Sequence, residues 1–185
     1  HTTTLSLPAG LPPQALRQYL YTDVSPFFFD RARGEFGPRH PALAFATLDL
    51  DRDLASQGLE GRQFDLVLAS NAVHAARDLR AAVSRLRSLL APGGLLLLVE
   101  STTHLAWFDI TTGLIEGWQH FADDDLRHDN PLLDAPTWVR LLHDSGFAEA
   151  RAWPQAGTPA ADIGQHVLLA RAPGQAGAGR PQIES

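Results

Sequence analysis

Two residues of this sequence have types and positions suited to moving a proton. His74 stands just past the apolar run Phe64–Ser70, and Glu100 closes the next apolar run, Leu95–Ser101. A lone histidine after a strand is often a helix-start residue making a local hydrogen bond, and a strand-end glutamate is often solvated. As a pair they read differently, because on neighbouring strands both side chains meet at one edge of the sheet. A carboxylate that accepts from one imidazole nitrogen fixes the tautomer and raises the basicity of the other. That is a general base able to take a proton from carbon. Asp23 and Asp49 close the runs "YLYTD" and "LAFATLDLD". In nucleoside-binding α/β folds a strand-end carboxylate accepts hydrogen bonds from ribose hydroxyls, and the next lies near the adenine. The alternative is a turn or cap residue, which strand-end aspartates often are. Asn71 either lines the same crevice or caps the turn.

The elements that must position these residues follow from patterning. Tyr19–Asp23 is expected to be a short strand. "SPFFFDRARGEF" reads as a helix capped by Ser25, with Pro26 in its first turn and Phe28, Arg31 and Ala32 on one face. Leu43–Asp51 is expected as a second strand. Phe64–Ser70 is a third, apolar enough to be covered on both faces. Leu79, Val83, Leu86 and Leu90 give Asp78–Leu90 helical periodicity, "APGG" stops it, and Leu95–Ser101 is a fourth strand. A helix from Pro136 to Asp144 ends at Gly146, and "FAEARAWP" with "QHVLLARA" forms a closing antiparallel pair. Alternating strands and helices predict an open α/β sheet with helices on both faces. Ligands in such sheets bind beyond the carboxyl ends of the strands, where Asp23, Asp49, Asn71, His74 and Glu100 cluster. Trp107, Phe108, Trp118 and Phe121 either wall a pocket or belong to the core, with core expected for at least half.

Composition excludes several classes. The 185 residues suffice for one domain with a core. No apolar run reaches the roughly 18 residues of a membrane span. The 15 basic residues are all arginine and form no cluster, and the net charge is −6, so nucleic acid and anionic membrane are poor partners. With no cysteine there is no thiolate chemistry, as in a cytoplasmic protein. His40, His104, His120, His128, His143 and His166 show no metal-ligand spacing, so no metal site is expected. There is no nucleophile elbow and no phosphate-binding P-loop.

The segments "YLYTDVSPFFFDRARGEF", "LDLDRD", "FDLVLASNAVHAARDLRAAVSRLRSLLAPGGLLLLVE" and "WFDITTGLIEGWQHFADDDLRHDNPLL" with "TWVRLLHDSGF" resemble the methyltransferase domains of modular type I polyketide synthases, of the class I S-adenosylmethionine-dependent fold. The likeness runs from Tyr19 to Phe147, more weakly to Ala172, with "NAVHA" and "GLIEGW" its most specific parts. It implies an open, mostly parallel Rossmann-like sheet with an antiparallel C-terminal pair. It implies His74 as catalytic base and Glu100 as its orienter, removing a proton from the α-carbon of a β-ketoacyl thioester on an acyl carrier protein. It implies Asp23 at the ribose, Asp49 at the adenine side and Asn71 along the crevice of S-adenosylmethionine, with other domains of the same synthase as partners.

The family's Gly-x-Gly-x-Gly cofactor loop, and the central strand before it, are expected to fall ahead of residue 1. "HTTTLSLP" is read as the helix that follows them, residues 1–172 as the core, and residues 173–185 as a disordered tail or linker. Without the central strand two sheet halves would be left with unpaired buried edges, so either an upstream segment supplies the strand or the sheet closes up without it. Two alternatives stand beside the carbon-methylating reading: a vestigial pseudo-methyltransferase serving as a structural domain of a polyketide or fatty acid synthase, and an O-methyltransferase.

Overall fold

The computed structural model describes residues 17–108, 110–114 and 118–174. The expected helix at 1–8 lies outside them, as does the tail beyond residue 174. The chain divides into two compact units, residues 1–58 and 59–185.

In the first unit, β1 (Tyr19–Asp23) and β2 (Leu43–Thr47) pair in parallel, with Tyr19 opposite Leu43 and Asp23 opposite Thr47. Ser25 caps the start of the crossover, its Oγ accepting from the Phe27 N–H at 3.3 Å, with Pro26 next. Residues 26–28 form a 3₁₀ turn before α1 (Phe29–Phe36). That turn advances three residues per revolution, not 3.6, and so changes the phase of the helix. The buried residues are Phe29 and Ala32, and Arg31 is exposed, which corrects the expected face. Tyr21, Phe29 and Phe45 pack mutually with centroids 5.5–5.9 Å apart. β2 is shorter than Leu43–Asp51: it ends at Thr47, and Asp49 bends the chain by accepting the Asp51 N–H on Oδ1 at 2.9 Å. Such an Asx turn offers the backbone an alternative to the ladder.

The second unit holds β3 (Phe64–Ser70), β4 (Leu90–Ser101), β5 (Glu149–Trp153) and β6 (Gln165–Arg171), in the order β3-β4-β6-β5. β3, β4 and β5 run one way and β6 is reversed between β4 and β5. Among the described residues the strands thus form two hydrogen-bonded sheets. β3 pairs, among the described residues, with β4 alone, and Leu66 is 41% exposed.

One face of β4 and β6 is closed by Leu96, Leu98, Leu168 and Ala170, each at most 1% exposed. Leu96 lies opposite Ala170 and Leu98 opposite Leu168, as facing residues of an antiparallel pair must. The next pair along is Glu100 and His166, so a buried carboxylate extends an apolar row. α2 (Leu79–Ser88) is capped by Asp78, whose Oδ1 accepts from the Ala81 N–H at 3.0 Å. It buries Leu79, Ala82, Val83 and Leu86. α3 (Ala135–Asp144) is capped by Asp134 and buries Trp138, Leu141 and Leu142; Gly146, at φ 85°, turns the chain away from it. No helix among the described residues is long and apolar enough to cross a membrane.

β4 begins five residues earlier than Leu95, and "APGG" lies inside it rather than ending the helix. Residues 91–94 bulge opposite Asp65, between the Phe64–Leu90 and Leu66–Leu95 pairings. Glycines permit this: Gly93 sits at φ 77°, and a Cβ on Gly94 would lie 2.9 Å from the Ala91 carbonyl oxygen and 3.1 Å from that of Phe64. Gly94→Ala should therefore destabilise the fold by about 1–3 kcal/mol, as overpacking does. Chemical denaturation checks this; an unchanged midpoint would mean that the bulge relaxes freely.

Candidate active site

β3 and β4 are parallel neighbours whose carboxyl ends finish side by side, Ser70 opposite Val99. The chain leaves β3 through Asn71, whose φ of 46° is positive. Its N–H donates to the Val99 carbonyl at 2.7 Å, and its Oδ1 accepts from the Ser101 N–H at 3.0 Å and the Ser101 hydroxyl at 3.1 Å. Asn71 thus ties the two strand ends together with its carbonyl oxygen.

The next residues form a 3₁₀ turn, Val73–Ala75, that carries His74. Glu100 receives this turn. Its side chain is fully buried; Oε1 accepts from the Ala72 N–H at 3.3 Å and the Val73 N–H at 3.0 Å, and Oε2 lies 2.5 Å from Nδ1 of His74. Three donors converge on one carboxylate, which only accepts. The network assigns the imidazole proton to Nδ1 and leaves the lone pair on Nε2. The two residues singled out from the sequence therefore meet, joined through Nδ1.

The aromatic segment lies beside them and is not core. Trp118 meets the His74 ring edge-on at 5.6 Å, Phe108 lies 5.9 Å from Trp118, and Trp107 lies 4.2 Å from Phe108. None of Trp107, Phe108, Trp118 and Phe121 is buried, and Trp107 is 53% exposed, which reverses the expectation of core for at least half. A wall of partly exposed rings reaches from solvent to the imidazole.

The other two carboxylates belong to the first unit. Asp23 ends β1; its Oδ1 accepts from the Ser25 N–H at 3.0 Å and its carbonyl from the Leu48 N–H at 3.0 Å. Burial pushes the neighbouring Tyr21 phenol up, with Asp23 adding to the shift. Asp49 lies two residues beyond β2 rather than at its end. Gln57 brackets its peptide, accepting from the Asp49 N–H at 2.7 Å and donating to the Asp49 carbonyl at 3.0 Å. Each local turn uses Oδ1 of its carboxylate.

Three features went unread in the sequence. Asp123 and Arg127 form a buried ion pair, Oδ1 to Nε at 2.5 Å, beneath the His74 turn. The i, i+4 spacing in "DDDLR" was the available signal, but it reads equally as a solvated helix face. Thr102 and His166 make a second buried pair, Oγ1 to Nδ1 at 2.6 Å, on the face of Glu100. At the surface Arg80 clamps Asp125 with two bonds of 3.1 and 2.8 Å.

Glu100→Ala would leave two backbone N–H groups and an imidazole nitrogen without their acceptor. Leaving buried donors unsatisfied costs about 1–3 kcal/mol each, so the midpoint of unfolding should fall by at least that equivalent; a loss under about 1 kcal/mol would mean that water replaces the carboxylate. The Arg80 hydrogen bond, helped by its charge, holds the Asp125 carboxyl below the usual range. A carboxyl lowered in this way adds stability above its unfolded range and loses it as pH falls through the folded value. NMR titration should find Asp125 below exposed aspartates and returned to them by Arg80→Ala.

A family model described as a methyltransferase domain matches residues 5–96. Polyketide synthase ThaG of Burkholderia thailandensis is 39% identical over 155 residues, covering 83% of this chain and 3% of ThaG. The highly reducing polyketide synthase ltbA of Aspergillus luteorubrus is 41% identical over 138 residues, covering 75% of this chain and 4% of its own length. The chain thus spans a small part of the curated relatives it matches. Among solved structures, CurJ carbon methyltransferase superposes with a TM-score of 0.84 at 38% identity, covering 93% of this chain and 45% of that one. CalH, a trans-methyltransferase solved with SAH, gives 0.77 at 30% identity, covering 92% of this chain and 48% of that one. The chain belongs to the methyltransferase-domain family, with the α/β fold of class I methyltransferases and the methyltransferase domains of polyketide synthases as its relatives.

Proposed function

We propose that this chain is a carbon-methylating domain of a polyketide synthase, acting on the α-carbon of a β-ketoacyl thioester held by an acyl carrier protein, with S-adenosylmethionine as donor. The observation that carries the reading is the 2.5 Å contact between Glu100 Oε2 and His74 Nδ1 at the carboxyl ends of adjacent parallel strands. The names of two similar structures, the carbon methyltransferases CurJ and DszA, support it.

His74 Nε2 takes the α-proton; the C–H bond breaks and its electron pair delocalises into the flanking carbonyls as an enolate. Glu100 keeps the ring in the tautomer that can accept that proton and balances the imidazolium that results. The rings of Trp118 and Phe108 limit water at the imidazole, so that the enolate is not simply reprotonated.

The donor set suits S-adenosylmethionine in one respect. Asp23 and Asp49 each use Oδ1 in a local turn, and Oδ2 of each remains an acceptor of the kind ribose hydroxyls and an adenine amine require. Asp23 would hold the ribose and Asp49 the adenine side. Asn71 would line the crevice through its amide nitrogen, since its carbonyl oxygen serves Ser101. When bound, the cofactor supplies an electrophilic sulfonium methyl for the α-carbon.

The test uses the synthase polypeptide that carries this chain. His74→Ala should lower carbon methylation by about 10²-fold or more, the usual contribution of a general base. Calorimetric affinity for S-adenosylhomocysteine should stay within about twofold, since the base does not hold the cofactor. Persistent methylation would mean that another group is the base. Preference for a β-hydroxyacyl over a β-ketoacyl carrier substrate would turn the reading to O-methylation. A folded wild-type domain that binds no S-adenosylhomocysteine would turn it to a vestigial, structural one.

A further inference from the structure

The turn that carries His74 is held from two sides, and Glu100 accounts for only one. Glu100 takes the N–H groups of Ala72 and Val73. The carbonyls of the same turn point the other way and converge on Arg127. Its Nη1 donates to the His74 carbonyl at 2.8 Å, and its Nη2 to the carbonyls of Ala76 at 2.9 Å and Arg77 at 3.0 Å. Nε is taken by Asp123, whose other oxygen, Oδ2, accepts the Leu79 N–H at the start of α2 at 2.9 Å. Phe121 covers the guanidinium at 5.0 Å, and the Ala122 N–H donates to the Arg77 carbonyl at 2.8 Å. Arg127 is 2% exposed and Asp123 6%.

Only arginine can make this arrangement. A planar fork of five N–H donors can serve a carboxylate and three carbonyls at once, whereas an ammonium is a point charge with a different donor geometry. Stability alone is a weak reason to keep it. Two buried charges lose solvation that their mutual attraction barely recovers, and apolar residues of similar volume often do as well. What the pair adds is position. The His74 carbonyl belongs to the same residue as the ring whose Nδ1 is fixed by Glu100, so Arg127 holds the backbone while Glu100 holds the ring. The segment that supplies Arg127 also follows Trp118, which touches that ring.

We propose that Arg127, seated by Asp123, is a positioning residue for His74: it fixes the backbone of the base so that Nε2 stands where the substrate α-hydrogen arrives. The proposal rests on His74 being the base. It predicts an effect on proton abstraction that is separate from any effect on binding.

The experiment follows exchange of the α-hydrogen of a β-ketoacyl carrier substrate with deuterium oxide, without methyl donor, in the synthase polypeptide. This reads proton abstraction alone. Arg127→Lys keeps the charge facing Asp123 and loses the fork. Exchange and methylation should fall together by about 10- to 100-fold, the scale of a misplacement near 1 Å. KM for the carrier substrate and affinity for S-adenosylhomocysteine should stay within about twofold, as for loss of an interaction felt only in the transition state. Arg80→Ala, at the surface pair nearby, should leave exchange unchanged. Should the lysine variant fail to fold, Asp123→Asn reads the same quantity, with a loss of about tenfold expected from a looser seat. Full exchange in a folded lysine or asparagine variant, with only the melting temperature lowered, overturns the positioning role. Full exchange in His74→Ala overturns the base assignment and the positioning role with it, whereas exchange abolished by His74→Ala and untouched by Arg127→Lys overturns the positioning role alone.

Discussion

The carboxylate of Glu100 is the interaction on which the rest of this unit's site depends. It lies at the end of an apolar row, opposite His166 and two residue pairs beyond Leu98 and Leu168 on the same face. A charge there is tolerated only if fully satisfied, since an unpaired buried carboxylate costs several kcal/mol. Three donors satisfy it, and all three belong to the loop that leaves β3: the amides of Ala72 and Val73, and the imidazole of His74. The requirement to solvate Glu100 and the requirement to orient His74 are met by the same atoms. Burial of the carboxylate therefore dictates the conformation of the loop, and the loop presents the His74 ring.

A loop held by its amides alone would still swing about them. Arg127 supplies donors for its carbonyls, and Asp123 joins that guanidinium to the first amide of α2. The β3–α2 connection is thereby closed on both sides by charged side chains from outside it, one from β4 and one from the stretch after Trp118. This is how an irregular segment stays rigid without a ladder of its own: each backbone polar group in it must find a partner, and side chains of opposite charge provide both kinds. The aromatic stretch before Arg127 needs no regular structure to stay beside His74, because it is anchored through the same pair.

The remaining packing serves this edge. The bulge at Gly93 and Gly94 lets β4 begin at Leu90, directly after the buried face of α2, so strand and helix meet through Leu89 alone. β6 returns between β4 and β5 and brings His166 and Thr102 together on the side of Glu100. Among the described residues β3 has one hydrogen-bonded neighbour and a partly exposed face. In the first unit Asp23, at the end of β1, and Asp49, two residues beyond β2, each anchor a local turn of their own. The two carboxylates and the dyad are thus built by independent devices: short-range backbone capping in one unit, long-range burial in the other.

Much of this was legible in the sequence. β1 and β3 have the bounds their apolar runs prescribe, α2 follows from its periodicity, α3 from a run closed by Gly146, and the meeting of His74 with Glu100 follows from placing both at adjacent parallel strand ends. These are decided by patterns two to four residues in range, which a sequence displays directly. The failures were of two kinds. Local competition shortened β2 at the Asx turn of Asp49 and rotated α1 through the 3₁₀ turn at Pro26, since side chain and ladder there differ by little energy. Tertiary placement decided the rest. Arg127 lies 53 residues from His74, and its charge gave no hint that it would be buried, because the reason for burying it is a set of carbonyls that exists only once the β3–α2 turn has formed. Likewise, the rings of Trp107, Phe108 and Trp118 were expected to be mostly core on hydrophobicity alone. Whether an aromatic faces the core or lines an opening depends on what packs against it, and no local pattern carries that information. Residue types and short-range patterns were enough to mark the strands and the His74–Glu100 pair at their ends; which distant side chains hold that pair still emerged only from long-range packing, because their partners are backbone groups created by the fold.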